Sequence, residues 1–388
     1  MTTAFLHGIE TIEIDDGIRS VQTVRSSLIG LVGTAPDADP ALFPLDVPVL
    51  VAGPRQAAAL GDFGTLPGAY VDLYTQGVNL AVVVRVEEGA DPGATAIAVA
   101  GDPTEGSGVW ALLDAPALTG QTPRILAAPG FTASTGVNAT VTALLSVAGH
   151  TRAVVVADGP GTTEAEAAAM ATLYDDQRLY MVDPDVVVEG RGGAARPASA
   201  LAAGAISARD AARGFWWSPS NQVLAGVAAT GRPVGFSLTD PETEANRLNE
   251  VGIATIVRQN GFRLWGNRSV STDPMWSFLS VRRTADMIYE SLERGHLWAL
   301  DRPFSPQLLV TLRNGVQAYL DGLVDRGALI GGRCWIDAEA NTAATLQAGQ
   351  LFVDFDIEPP APLERLTFRA RRNGGYYDEL VADAAALN

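Results

Sequence analysis

The sequence predicts two folded units of different class. An α/β domain with a mostly parallel sheet spans residues 21–270, and a smaller α+β domain spans residues 271–372. Extended arms flank them at residues 1–20 and 373–388. Three observations carry this reading. Between Arg124 and Gly214, short apolar runs alternate with helix-length segments, as parallel βαβ units require. Several of those runs are continuous in valine, isoleucine or leucine, the mark of strands covered on both faces. After Trp276 the pattern changes to long helical stretches, then to segments that alternate apolar and polar residues.

Residues 1–20 space Ile12, Ile14 and Ile18 among acidic and polar positions. That spacing suits an exposed β-prone arm and equally an ordinary first strand. Residues 28–88 read as strand, strand, helix, helix, strand. SSLIGLVGTAP and VPVLVAG are the first two strands, and NLAVVVRVEEG is the third. Pro54 opens the first helix, where its missing N–H is no loss. Residues 89–120 are rich in Gly, Ala and Pro and read as a loop-rich insertion. RILAAPG is then a strand and STGVNATVTALLSVAG a helix. RAVVVADG is a strand, and TTEAEAAAMATLYDDQR a helix capped by Thr162 or Thr163. RLYMVDPDVVV reads as one strand, and PASALAAGAISARDAARG as a helix ended by Gly214. ETEANRLNEVG and IATIVRQ add a helix–strand pair.

In the C-terminal unit, Ser277–Arg283 alternates weakly and reads as a strand. Thr284 then caps a helix reaching 300, with Met287, Ile288, Ser291, Leu292 and Gly295 at helical spacing. A second helix covers 306–326, set off by Pro303 and Pro306. Three extended segments follow: ALIGGRCWIDA, LFVDFDIEP and RLTFRARR. In the second, Leu351, Val353, Phe355 and Ile357 share a face, with Asp354 and Asp356 opposite. Residues 373–388 read as a glycine hinge and an acidic, Ala-rich tail able to form a frayed helix.

Composition excludes several functions. The formal net charge is −17, and all 27 basic residues are arginine. Without lysine there is no Schiff-base chemistry and no phosphate-loop lysine. The acidic balance argues against a nucleic-acid binder and suits a surface that stays soluble until it meets a partner. No apolar run reaches the ~18 residues that span a bilayer. The first residues, MTTAFLHGIETIEIDD, lack the basic stretch and apolar core of a secretory signal. Cys334 is the single cysteine, so no intrachain disulfide forms, and folding in the cytoplasm fits.

Few residues point to chemistry. His7, His150 and His296 are widely spread, with no metal-ligand spacing. His296 reads as a helix-end capping residue, and Cys334 as a buried small side chain within a strand. Gly159-Pro160-Gly161 sits between strand and helix, where phosphate-binding turns occur. It lacks a third glycine, however, and Glu164 and Glu166 would repel phosphate there. Asp158 and Asp183 end strands, as catalytic acids in α/β enzymes do and as caps and turn residues do more often. An α/β hydrolase-like enzyme with an oligomerisation domain is therefore the alternative. Trp216 and Trp217 suit a core or an interface equally.

The most informative stretch is 258–301. It holds Trp265, Trp276 and Trp298, and its arginines nearly balance its acids. Here GFRLWGNR, a short loop and WSFLSVRRTADMI resemble the region joining the two halves of contractile-tail sheath proteins. GFWWSPSNQVLAGV (Gly214–Val227) and RILAAPG (Arg124–Gly130) extend the resemblance upstream, and the C-terminal strands extend it downstream. It covers nearly the whole chain, and fits best the short type found in P2-like phages and R-type bacteriocins.

The resemblance implies an outer α/β domain, an inner α+β domain facing a tail tube, and arms that link subunits. Ile12, Ile14, Ile18, Tyr376, Tyr377 and Leu380 are the candidate arm contacts. Arg282, Arg283, Glu290, Glu293 and Arg294 are the candidate tube contacts, and pairs inside one subunit are the plainer reading of the same charges. The implied function is that of a structural subunit, stacked in six-membered rings around the tube and contracting to drive it through a cell envelope. The implied partners are other sheath subunits and the tube, baseplate and terminator proteins. No nucleic acid, membrane insertion, cofactor, metal or catalytic residue is implied. The implied site is a virion tail or bacteriocin particle, assembled in the host cytoplasm.

Overall fold

The structure is a computed structural model that describes residues 21–23 and 25–386. Ile12, Ile14 and Ile18, and the arm expected there, lie outside the described residues. The larger unit is built on strands β1 (Ile29–Thr34), β2 (Pro48–Ala52), β3 (Leu80–Val86), β4 (Ile125–Ala127), β5 (Val154–Asp158) and β6 (Leu179–Val182). Then come β7 (Val186–Val188), β8 (Ala195–Arg196), β9 (Gln222–Val223), β10 (Val227–Thr230), β11 (Ile253–Arg258) and β12 (Phe262–Trp265). Nine of these form one sheet in the order β2-β3-β1-β4-β5-β6-β11-β12-β9. The run from β3 to β11 is parallel, and the edges β2, β12 and β9 are antiparallel.

The valine-rich runs follow from cover on both faces. Along β1, Ile29 and Leu31 enter one core and Val32 the other, with Leu28 just before the strand. Helices α1 (Pro54–Ala57), α2 (Leu66–Thr75) and α7 (Ser199–Arg213) cover the first face. Helices α3 (Pro92–Ala100), α4 (Ala115–Thr119), α5 (Ala139–Thr151), α6 (Glu164–Ala171) and α8 (Glu244–Glu250) cover the second. Asn138 caps α5 and Thr163 caps α6, each accepting a backbone N–H with its side chain.

Two expectations in this unit are corrected. Residues 89–120 are not loops. They form α3, a short 3-10 helix over Gly108–Asp114 and α4, and bury Val99, Val109 and Leu112 in the second core. Alanine and valine packing outweighed the glycines, some of which lie at helix ends, such as Gly101 at φ 70. RLYMVDPDVVV is not one strand but two. Pro184 has no N–H to donate, and after it β7 leaves for a separate sheet with β8 and β10.

The C-terminal unit contains α9 (Leu279–Gly295), α10 (Pro306–Asp325), α11 (Ala343–Gln347), α12 (Tyr376–Ala386), and the antiparallel pair β13 (Gly331–Trp335) and β14 (Asp354–Glu358). Met287, Ile288, Val316, Leu320 and Cys334 form its core, joined by Phe215, which follows α7. Val353, Phe355 and Ile357 pack against it, as the alternation in LFVDFDIEP predicts. Residues 277–283 are a correction, because α9 begins at Leu279 and Thr284 lies within it. The third extended segment, 365–372, pairs with no strand among the described residues.

Candidate assembly site

Helix α9 buries more charge than an ordinary helix tolerates. Arg282, Arg283, Asp286 and Glu290 are all buried, together with apolar neighbours. Positions 282, 283, 286, 290, 293 and 294 fall on one side of the helix, while Thr284, Met287, Ile288 and Ser291 fall on the other. Buried charge persists only with pairing and hydrogen bonds, and the larger unit supplies the partners. Arg283 donates to both carboxylate oxygens of Asp210 on α7, at 2.8 and 2.6 Å. Arg178, just before β6, grips Asp286 at 2.6 and 2.9 Å, and Arg282 reaches the same carboxylate at 2.9 Å. Arg282 also stacks on Trp276, 4.4 Å from the ring centre. Arg124, just before β4, pairs with Glu290. Arg152, which follows α5, pairs with Glu293 at 2.6 Å.

The electrostatics of this seam follow from its burial. Burial pushes the Arg124 guanidinium below its ordinary pKa, and Glu290 opposes that shift. The hydrogen bond from Arg152 holds the Glu293 carboxyl below the usual range and raises Arg152 in return. Four elements of the larger unit thereby hold one helix of the smaller one. Arg282, Arg283 and Glu290 are buried in the subunit by these pairs. Of the five candidate tube contacts, Glu293 and Arg294 keep exposed side chains, at 60% and 58%.

The strand-end acids are internal braces. Asp158 accepts hydrogen bonds from the backbone N–H and hydroxyl of Ser199, both at 2.7 Å, and from the hydroxyl of Thr132 at 3.0 Å. Burial pushes its pKa up to about 6. Asp183 accepts the Gly161 N–H at 2.7 Å and pairs with Arg232, and burial raises its pKa too. A Cβ on Gly159 would lie 2.7 Å from the Asp183 Cβ. The Gly-Pro-Gly turn thus wraps a carboxylate of its own chain where a phosphate would sit. His296 follows the end of α9 and its Nδ1 meets the Leu292 carbonyl at 2.7 Å. Cys334 is buried in β13.

The exposed apolar surface lies elsewhere. After β14, residues 359–375 form no helix or strand. Leu363, Leu366 and Phe368 are 77%, 64% and 85% exposed. Glu364 ties this segment to the body through Arg268, at 2.8 and 2.6 Å. Beyond it, α12 buries no residue, and Tyr376, Tyr377 and Leu380 are 65%, 62% and 63% exposed. β14 has only β13 beside it among the described residues. The sequence signal for this surface was the alternation of Leu366, Phe368 and Ala370 with polar residues.

Comparison with known proteins gives a consistent result. The family model for the phage tail sheath protein central domain matches residues 107–270, and that for the phage tail sheath C-terminal domain matches residues 271–372. A prophage-encoded protein of Pseudomonas aeruginosa described as a major tail sheath protein is 36% identical over 388 residues, spanning 97% of this chain and 99% of its own. The tail sheath protein of Escherichia phage P2 is 34% identical, spanning 97% of both chains. A solved sheath complex of the extracellular contractile injection system PVC, in its contracted state, matches with a TM-score of 0.73. It covers 97% of this chain and 100% of that one at 19% identity, a likeness of fold.

Proposed function

The chain belongs to the phage tail sheath family, and we propose from that membership that it stacks as hexameric rings around a tail tube and contracts to drive the tube through a cell envelope. It is a sheath subunit of a contractile phage tail or a phage-like injection particle. The observation that carries the finer reading is the C-terminal segment. Residues 365–372 hold a strand-like apolar stripe, and α12 beyond them buries no residue among the described residues. A free strand edge such as β14 is a template for pairing with a neighbour's segment. Main-chain pairing of that kind tethers subunits while their bodies rotate between two packings. Residues 1–20, with Ile12, Ile14 and Ile18, act with Tyr376, Tyr377 and Leu380 as the linking arms.

In this reading the α/β unit is the outer domain and the α+β unit the inner one. The tube contact comes from the exposed end of α9, with Glu293 and Arg294, and from the short 3-10 helix Leu297–Ala299 that follows. Leu297 in it and Leu300 just after it are 66% and 70% exposed. A contact that must break on firing is better made of exposed polar groups than of a deep apolar interface. No covalent step is needed, because the work is stored as a free-energy difference between two packings. Even ~1 kcal/mol per subunit adds up along a polymer. Tube, baseplate and terminator proteins complete the partners, and assembly takes place in the host cytoplasm.

Electron microscopy of the purified full-length chain at rising concentration tests this. Long striated hollow tubes are expected. A single small oligomer at every concentration and salt would overturn the reading.

A further inference from the structure

The nine-stranded sheet ends in two edges of unequal length. At one, β9 has two residues. At the other, β2 has five and reads PVLVA, with no charge. A very short edge is a poor template for another strand, whereas a longer, uncharged, β-prone edge is a good one. β2 runs antiparallel to β3, and the Gly53 N–H bonds the Asn79 carbonyl at 2.8 Å. That register turns the backbone groups of Val49 and Val51 toward β3 and those of Pro48, Leu50 and Ala52 outward.

Two of the outward groups are already taken. The side-chain amide of Gln56 donates to the Leu50 carbonyl at 3.0 Å and accepts the Ala52 N–H at 3.0 Å. These two groups flank one residue, Val51. A strand laid parallel to β2 would meet them with the N–H and C=O of a single residue, and the carboxamide offers that same pair. Pro48 has no N–H to offer at all. The local fold brings Gln56 into place. Gly53, at φ 97, turns the chain out of the strand, and Pro54 starts α1, so Gln56 comes back beside the strand it has just left. The Tyr70 hydroxyl holds the corner, accepting the Gly53 N–H at 3.0 Å and donating to the Asn79 carbonyl at 2.9 Å. The arrangement recurs in the smaller unit. Gln317 on α10 accepts the Cys334 N–H at 2.8 Å and donates to the Gly332 carbonyl at 3.2 Å, again spanning one residue of a strand, β13.

We propose that Gln56 closes the β2 edge to strand addition and so keeps copies of this chain from joining through the large sheet. The need for such a guard follows from the rest of the subunit. Each copy carries a strand-like segment at 365–372 that pairs with no strand among the described residues. Where many copies gather, extended apolar segments are always close to an edge that has free N–H and C=O groups. With the amide gone, β2 takes such a segment from a second copy, and the product is irregular aggregate. The guard adds to the assembly reading and is independent of which surfaces make the ordered contacts.

Gln56→Met tests the guard in the full-length chain, because methionine keeps an unbranched side chain of similar length and removes the amide. In the unassembled subunit, the Ala52 amide should exchange its hydrogen at least tenfold faster than in wild type, with the melting temperature within about 2 °C. An unchanged exchange rate would overturn the proposal. On concentration, the variant should scatter at least fivefold more light from irregular aggregate. Ala52→Lys, an exposed position on the same edge, should return that scattering to the wild-type level when added to Gln56→Met, since a charge blunts an edge. Equal scattering from wild type and Gln56→Met would overturn the guard. So would excess scattering that Ala52→Lys leaves in place, which marks a general loss of stability. The exchange measurement is made on single subunits. A wild-type chain that forms no tubes therefore removes the sheath reading and leaves the guard to be decided by exchange.

Discussion

Arg283 on α9 and Asp210 on α7 form a two-point ion pair with side chains only 4% and 2% exposed. The hydroxyl of Ser26 donates to the same carboxylate at 2.7 Å, and the Ser26 carbonyl accepts from Arg283 at 3.0 Å. Three distant parts of the chain therefore meet around one buried charge pair. Removing one partner leaves the other charge desolvated and unpaired. Asp210→Ala should lower the stability of the unassembled subunit by about 3–5 kcal/mol in urea unfolding. A loss below about 1 kcal/mol would show that the pair does not hold the two units together.

Arg152 and Glu293 make the contrasting pair, because Glu293 is 60% exposed and solvent screens the attraction. Glu293→Gln should change stability by about 1 kcal/mol or less. Since Arg152 holds the Glu293 carboxyl below its usual range, the contribution is present above the unfolded carboxylate pKa. It disappears as pH falls through the lower folded value. The difference between wild type and Glu293→Gln should therefore vanish in acid.

Asp158 acts in the opposite sense. Its pKa is raised to about 6 by burial, against an ordinary 3.8. Between those values the folded state holds a proton that the unfolded state has released. Stability therefore falls as pH rises through this window, and the full penalty, of order 3 kcal/mol, is present above pH 6. Unfolding of the unassembled subunit at pH 7 and pH 5 should show this component in the wild type and not in Asp158→Asn. Equal pH slopes in the two proteins would contradict it.

Gly159 is required by close approach and not by backbone angle. Gly159→Ala would place a methyl 2.7 Å from the Asp183 Cβ and lower stability by about 1–3 kcal/mol. Gly322→Ala, where nothing among the described residues lies within 4 Å, should be neutral or stabilising. Melting of the two variants side by side checks the sign at each site.

Phe368 and Leu366 are exposed in the subunit, and the proposed function gives them to the linkage. Phe368→Asp with Leu366→Asp should leave the melting temperature of the unassembled chain within about 1 °C, since exposed substitutions shift stability little. The same pair should abolish tubes in the electron microscope. Normal tubes would remove this segment from the linkage.

Much of the fold was legible in the sequence. Val82, Val83 and Val84 lie between two cores, and an uninterrupted valine run is the local sign of that position. The caps Asn138 and Thr163 are also local, because each side chain bonds an N–H three residues ahead. Family membership was legible because motif order along the chain is itself a one-dimensional property. The helical start of α9 was not legible. Periodicity looks for apolar residues, and the inward positions 282, 283 and 286 are charged.

What made those positions inward is tertiary. Asp286 meets Arg178 across 108 residues and Arg283 meets Asp210 across 73, and no local pattern encodes such a meeting. The Gly-Pro-Gly turn is a similar case. Its glycines mark a place where something approaches the backbone, and only the folded chain shows that Asp183 is the occupant. The sequence by itself determined the class of each unit, most of the strands and helices, and the family, since all of these depend on near neighbours or on order. Tertiary structure alone decided which charges are buried and paired and which glycines are crowded. It also decided which surfaces stay open, because burial and pairing depend on residues far apart in the chain.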